Sequence, residues 1–458
     1  MSKTSAVFLC WLCASICFSA TDQKTTSSSS REESSSTRTT SLTGSEDTST
    51  DFLSDEHWRQ LPREQRRQRF QSVFLRLLEP SGDGKVEKLD TYIERYKQAV
   101  CFDSRLAVFR VRSHVIDPAK RSIVLSGEVS IAQFKTGLEQ SLRALGFDVQ
   151  ANNIELLPAK ELGTLVYGIS TTVSATMRKE PRPNAEQVNS IPLGWPARIL
   201  RSAREDDLSS QSLPGRRENA SYRHQLRSPY HSHFNDVTDW YLAQSCEGYV
   251  GFIRKGDFQL VSTYRLPDAY LVRPTTVTLS DRVPITIPTA AGLTRSAHGT
   301  YVLTIGNETI PFQGTPQSYH PLRNYFTPDA ILTISQPYLG TPYVWGGVTN
   351  LGVDCSGFSQ FIYRANGVHL PRDAEEQAIV GVIVGFGRQV REVVEPGDLI
   401  FFLNERGRIS HVAVSLGKDR IIHASGNNVH ISTLDERRED SDQPLIERVL
   451  FARRICTY

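Results

Sequence analysis

The chain has 458 residues, with 52 basic and 50 acidic side chains, 39% hydrophobic and 22% charged residues, 30 Gly and 23 Pro. At roughly 150 residues per domain, this length predicts about three domains, each able to bury a core. The formal charge of +2 excludes a global electrostatic match to nucleic acid or to an anionic membrane.

Lys3, the apolar run Ala6–Phe18 and the small residues Ser19 and Ala20 predict a signal peptide over residues 1–20. The run is short for a membrane span, and an uncleaved anchor is the alternative. Three of the seven cysteines, Cys10, Cys13 and Cys17, lie inside it. Residues 21–50 hold 19 Ser or Thr among 30 positions. Such a stretch cannot bury enough apolar surface to order itself, so it reads as a disordered tether.

Residues 51–160 read as an N-terminal α+β region. A Trp58–Leu61–Phe70–Phe74–Leu77 series predicts amphipathic helices, interrupted near Pro80–Gly84. The arginines at 63, 66, 67 and 69 read as a solvated helix face. Leu106–Val111 and Ser122–Val129 read as strands, and Ala132–Leu145 as a helix. This strand–strand–helix order resembles periplasmic BON-type modules.

Residues 165–262 show short strands punctuated by Gly and Pro, as in Val173–Pro181, Ile191–Gly194, Asp239–Tyr241 and Glu247–Phe252. They resemble a small bacterial SH3-like barrel with a polar insertion at 203–235. Within the insertion His231 and His233 read as loop residues rather than metal ligands. Residues 265–320 repeat the rhythm and read as a second, divergent SH3-like domain. Asn219 and Asn307 begin glycan sequons, which matter only in a eukaryotic secretory pathway.

The chemistry concentrates in residues 325–458. Asp354-Cys355-Ser356-Gly357 precedes Phe358, Phe361, Ile362 and Ala365, the spacing of one helix face. Asp354 suits the N-cap, which puts Cys355 in the first turn, where backbone N–H groups and the helix dipole lower a thiol pKa. Such a thiol is a candidate nucleophile. Ile409–Ser415 and Arg420–Ser425 read as a hairpin centred near residue 417. That register sets His411 nearly opposite His423, so one imidazole can act as base while the other orients it. Core packing of a lone cysteine and zinc ligation by the three residues are the competing readings.

The whole order of segments is specific. Tyr343-Val344-Trp345-Gly346-Gly347, Asp354-Cys355-Ser356-Gly357-Phe358, Leu370-Pro371-Arg372-Asp373-Ala374 with Gln377, Pro396-Gly397-Asp398-Leu399, Ser410-His411-Val412-Ala413 and Ile422-His423-Ala424-Ser425 closely resemble the NlpC/P60 family of cell-wall cysteine peptidases. The resemblance implies a papain-like α+β fold for the C-terminal domain of a multidomain protein, preceded here by the small all-β SH3-like barrels and by the N-terminal α+β region of 51–160, which lies outside the family's usual domain set. It implies Cys355 as nucleophile, His411 as general base and acid, and His423 as orienter. Asp354 and Ser356 are implied to hold a substrate amino end, Tyr343 to sit near the oxyanion, and Arg372 and Asp373 to line the groove. Tyr249 is a candidate for a residue of the first barrel that closes the groove.

The implied function is an exported peptidase cleaving γ-D-glutamyl-diaminopimelate bonds of peptidoglycan stems, with peptidoglycan or released muropeptides as partner. It works in the cell envelope or outside the cell, without metal or organic cofactor, nucleic acid or a membrane span in the mature chain. Another peptidoglycan amidase or acyltransferase of the superfamily, or a non-catalytic wall-binding protein, are the alternatives. Oligomeric state and any pairing of Cys101, Cys246 and Cys456 are left open.

Overall fold

The computed structural model describes residues 60–82, 84–101, 103–208, 236–315, 318–321, 328–439 and 441–455. The expected signal peptide, the tether, His231, His233, Asn219 and Cys456 lie outside the described residues. Among those described, no helix is long and apolar enough to cross a membrane. The chain divides into two compact units: one of residues 1–99, 113–124 and 137–151, the other of residues 100–112, 125–136 and 152–458.

In the first unit, helices Arg63–Leu78 and Leu89–Val100 flank the expected break. Its core packs Tyr92 against Phe147 edge to face at 6.1 Å, with Ile123 and Leu138 fully buried. The strands Phe109–Asp117, Ser122–Val129 and Asp148–Leu156, each with residues assigned to both units, form a three-stranded sheet in chain order. A helix at Ala132–Ala144 precedes the third strand. The first strand thus starts at Phe109 rather than Leu106. The Asp103 carboxylate accepts from the Arg105 amide at 2.8 Å, and this local turn keeps residues 103–106 out of the sheet.

The second unit holds two β segments and the C-terminal domain. In the first β segment seven antiparallel strands run in the order 258–261, 167–170, 196–202, 240–245, 250–254, 174–178, 187–192. The second β segment has five strands in the order 308–311, 301–305, 292–295, 269–271, 319–321, and a separate hairpin pairs 275–278 with 284–287. A buried charge cluster ties the first segment to Glu128. The Arg201 guanidinium, 1% exposed, donates to Glu128 at 2.7 and 2.8 Å and to Asp207 at 2.8 Å through two nitrogens.

In the C-terminal domain a six-stranded antiparallel sheet runs in the order 382–386, 449–454, 399–403, 409–417, 420–425, 428–433. Alternate residues of these strands face two cores, as the pleat requires. Leu399, Phe401, Val412, Val414, Ile422 and Ala424 pack with the helix Cys355–Ala365 through Phe358, Phe361 and Ile362. Ile400, Phe402, Ala413 and Ile421 pack with Val390, Leu445 and Ile446. With both faces covered, the central strands read as nearly continuous hydrophobic runs.

Candidate active site

The cysteine helix starts where the sequence places it. Asp354 is its N-cap, accepting from the Gly357 amide at 2.7 Å through Oδ1 and from the Gly346 amide at 2.7 Å through Oδ2. Gly357 has no room for a side chain, because a Cβ there would lie 2.2 Å from the Gly347 carbonyl oxygen. Cys355 follows as the first helical residue and is buried. Gln377, fully buried, donates to the Ser356 and Pro371 carbonyls at 3.0 and 2.9 Å and accepts from Ser359 at 2.7 Å. It fixes the first helical turn against the 370–377 segment.

The backbones of Val412 and Ser356 act on the Cys355 sulfur to lower its pKa. Val412 and Cys355 share one core, and Val412 follows His411 on the strand Ile409–Gly417, so the cysteine helix packs on the strand that bears the first histidine. The His411 Nε2 and His423 Nδ1 atoms are 2.8 Å apart, and His423 Nε2 is 3.0 Å from the Ser432 hydroxyl. The strands pair Val414 with Ile422 and Ser415 with Ile421, with a bulge before Gly417. Continued, this register puts His423 level with Ala413, so the two histidines are diagonal same-face neighbours rather than opposite one another. The offset arises because the turn pairs Gly417 with Arg420 and is centred on Lys418-Asp419, the bulge taking back one residue, and the rings still meet because diagonal neighbours lie within reach of long side chains.

Two further members of this chain were not anticipated. His430 pairs directly with His423 across the next hairpin, ring centroids 4.6 Å apart, and Ser432 follows on the same strand. The turn signal Gly426-Asn427 between two alternating runs could have located both.

Burial pushes the Cys355 thiol up to about 12; the Asp354 carboxylate adds to this, while the Val412 and Ser356 backbones and Arg372 oppose it. The expected lowering at a helix start is thus reversed in the resting site, because loss of water and the N-cap carboxylate outweigh the backbone groups. Burial pushes His411 down to about 4, aided by Arg448 and His430. Burial likewise takes His423 to about 2, with His411 and His430 adding to it. Near neutral pH the thiol and both imidazoles are therefore uncharged.

Tyr343 is half-buried, and burial, then Cys355 and Asp354, raise its phenol, so it stays an O–H donor beside the sulfur. Asp354, Ser356 and Arg372 meet, but in a different capacity from the expected one. The Arg372 guanidinium, 1% exposed, donates to Asp354 at 2.6 and 3.0 Å and to Ser356 Oγ at 2.9 Å. The Asp354 carboxylate is thereby neutralised from within, and Arg372 is a buried strut rather than the wall of an open groove. Asp373 caps the short helix Ala374–Gln377 and pairs with Arg105 at 2.6 Å. Arg105 also meets Asp103 at 2.6 Å and Glu376 at 3.6 Å. Burial raises Glu376 to about 8. Tyr249 is buried, its phenol raised by burial and then by Asp373.

The NlpC/P60 family profile matches residues 340–443, which contain the cysteine, both expected histidines, His430 and Ser432. A "Gamma-D-glutamyl-L-lysine dipeptidyl-peptidase" of Bacillus subtilis is 39% identical over 114 residues, 24% of this chain and 37% of that protein. A "Murein DD-endopeptidase MepS/Murein LD-carboxypeptidase" of Escherichia coli is 34% identical over 136 residues, 29% of this chain and 69% of that protein. A solved NlpC/P60 family structure from Bacillus cereus superposes with a TM-score of 0.45 at 18% identity, covering 64% of this chain and 100% of that one. This chain spans 37% of the Bacillus subtilis dipeptidyl-peptidase and 28% of a namesake from Bacillus cereus. The matched segment carries the cysteine helix and the histidine strands together, and the chain belongs to the NlpC/P60 family.

Proposed function

We propose that this protein is an exported cysteine peptidase that hydrolyses γ-D-glutamyl-diaminopimelate bonds in peptidoglycan stem peptides. The observation that carries the reading is Cys355 at the start of a helix packed on the strand of His411, with His411, His423 and Ser432 linked in series. With His411 Nε2 engaged by His423, Nδ1 is the nitrogen left for the thiol proton. That assignment makes Nε2–H the donor to His423 Nδ1, and His423 Nε2–H the donor to Ser432.

In the proposed reaction the Cys355 sulfur attacks the γ-carbonyl carbon as its proton moves to His411 Nδ1. Because the resting pair is neutral, thiolate and imidazolium form together, each stabilising the other in a site with little water. In this reading the Cys355 backbone N–H and the Tyr343 O–H bind the oxyanion. His411 then protonates the leaving amine, the C–N bond breaks, and a thioester remains. Water, deprotonated by His411, attacks the thioester and releases the acid and the thiol. Asp373 takes the role of groove residue, while Asp354, Ser356 and Arg372 hold the nucleophile's turn.

The substrate assignment is supported by the name of the Bacillus subtilis relative, a γ-D-glutamyl-L-lysine dipeptidyl-peptidase, lysine being a diamino acid as diaminopimelate is. The Escherichia coli relative, named for DD-endopeptidase and LD-carboxypeptidase activities, favours cleavage at another peptide bond of the same stems as the second reading. We read the two β segments as SH3-like modules, supported by their short antiparallel strands and tight turns. Incubation with stem tripeptide, cross-linked muropeptides and intact sacculi, followed by product mass spectrometry, tests the assignment. Release of L-Ala-γ-D-Glu supports it; cleavage only of cross-links selects the second reading, and no cleavage of any substrate rejects both.

A further inference from the structure

A buried polar circuit joins both ends of the cysteine helix to the first β segment. It starts at Asp354 and Ser356, which flank Cys355 and share the Arg372 guanidinium. Arg372 Nε donates to Asn189 Oδ1 at 2.8 Å, and Asn189 Nδ2 donates to Glu247 Oε1 at 2.6 Å. Glu247 Oε2 accepts from Arg364 Nη2 at 3.2 Å. Arg364 lies on the last turn of the same helix that begins with Cys355, its guanidinium 4.8 Å from the Trp195 ring centroid. Asn189 is fully buried, and the Arg364 and Glu247 side chains are 6% and 4% exposed. Two carboxylates face two guanidiniums, so the circuit is neutral as a whole.

A second contact brings the same strand to the nucleophile's turn. Gly346, whose amide holds Asp354, has φ +76°, and a Cβ on it would lie 2.6 Å from Gln187 Cγ and 3.0 Å from the Gln187 carbonyl. The strand Gln187–Pro192 thus supports the turn through Gln187 and the arginine through Asn189.

We propose that Asn189 and Glu247 are positioning residues for Cys355, acting through Arg372, so that the first β segment completes the catalytic site instead of serving only to bind the wall. The inference rests on the reading of Cys355 as nucleophile. Its physical basis is directional. Arg372 has to face Asp354 and Ser356 at once, and a guanidinium donates in a rigid planar fork. Asn189 engages the remaining Nε edge and fixes the plane of that fork. If the fork turns, the Asp354 carboxylate beside the sulfur loses part of its countercharge and opposes thiolate formation.

The test uses the full-length chain carrying Asn189→Leu, which keeps the branched shape and removes the hydrogen bonds to Arg372 and Glu247 together with that from the Ser190 amide. Alkylation of Cys355 by iodoacetamide near neutral pH, read by mass spectrometry of the Cys355 peptide, needs no substrate. We expect the alkylation rate to fall roughly tenfold or more, the lower range for losing a hydrogen bond to a charged group. With stem tripeptide, kcat should fall by a similar factor while KM stays within about threefold. Circular dichroism and the unfolding midpoint establish that the variant is folded. If it is not, Glu247→Gln removes the charge without changing shape and should still slow alkylation about threefold or more. A folded variant with alkylation and kcat within about twofold of the parent overturns the inference, as does a rise in KM with kcat intact. If the parent cleaves no stem peptide yet alkylation slows as expected, the substrate reading fails and the positioning role stands.

Discussion

Replacing His423 by Gln tests the histidine relay and the electrostatics of its burial together. The glutamine carbonyl can still accept from His411 Nε2–H, but the side chain cannot titrate. Burial holds His423 down to about 2, whereas an unfolded imidazole titrates near 6.5. As pH falls below about 6.5 the unfolded chain gains a proton that the folded chain does not, so folding loses about 1.4 kcal/mol per pH unit from this residue. The contribution is fully present above the unfolded value and drains away down to the folded one. Between about pH 6 and 4.5 it amounts to ~2 kcal/mol, a large part of a typical domain's 5–15 kcal/mol. Native-state hydrogen exchange of the strand Ile409–Gly417, corrected for intrinsic rates, reports the local opening free energy. His423→Gln should flatten its pH slope by about 1.4 kcal/mol per unit and keep hydrolysis within about tenfold of the parent. His423→Leu should lose about a hundredfold or more, because nothing then selects the His411 tautomer. Coincident pH slopes for parent and Gln variant would refute the buried neutral state, and full activity in the Leu variant would refute the orienting role.

Three other substitutions probe separate links. Ser432→Ala leaves His423 Nε2–H without its acceptor at 3.0 Å; kcat should fall about three- to tenfold with KM little changed in steady-state kinetics. Gly346→Ala meets both positive φ and the Gln187 backbone, so calorimetry should record ~1–3 kcal/mol of destabilisation together with slower Cys355 alkylation. Arg201→Leu takes from buried Glu128 and Asp207 the guanidinium they share and leaves them only the more exposed Arg110 and Arg204. It should cost about 3–5 kcal/mol by denaturant titration while leaving the turnover of still-folded protein within about twofold.

The cysteine helix was legible from its N-cap and apolar spacing because both are local signals. The histidine pairing was legible in kind but not in register. The turn is centred on Lys418-Asp419 instead of residue 417, which moves the alignment by three residues, and the bulge before Gly417 takes back one; turn residues alone encode neither the exact centre nor a bulge. The raised thiol was not legible, since burial is a property of the assembled domain and the sequence shows only the favourable helix start. Arg372 carried the same limitation. Its place beside Asp373 suggested a groove, whereas its partners Asp354 and Asn189 lie 18 and 183 positions away. Asn189 and Arg364 stood in no motif, and Glu247 marked only the start of a strand segment, because their roles come from pairing between segments far apart in the chain. The strand from Phe109 was displaced by the Asp103 turn, a side-chain effect that outweighs the alternation of Leu106–Val111.

The proposed chemistry stands on one sulfur. The most direct measurement follows stem tripeptide hydrolysis while Cys355 is alkylated in steps, with occupancy of the Cys355 peptide read by mass spectrometry in parallel. The thiol mechanism requires hydrolysis to fall in proportion to the alkylated fraction and to be absent in Cys355→Ala. Hydrolysis that persists when Cys355 is fully alkylated, or in the folded Cys355→Ala protein, would contradict it.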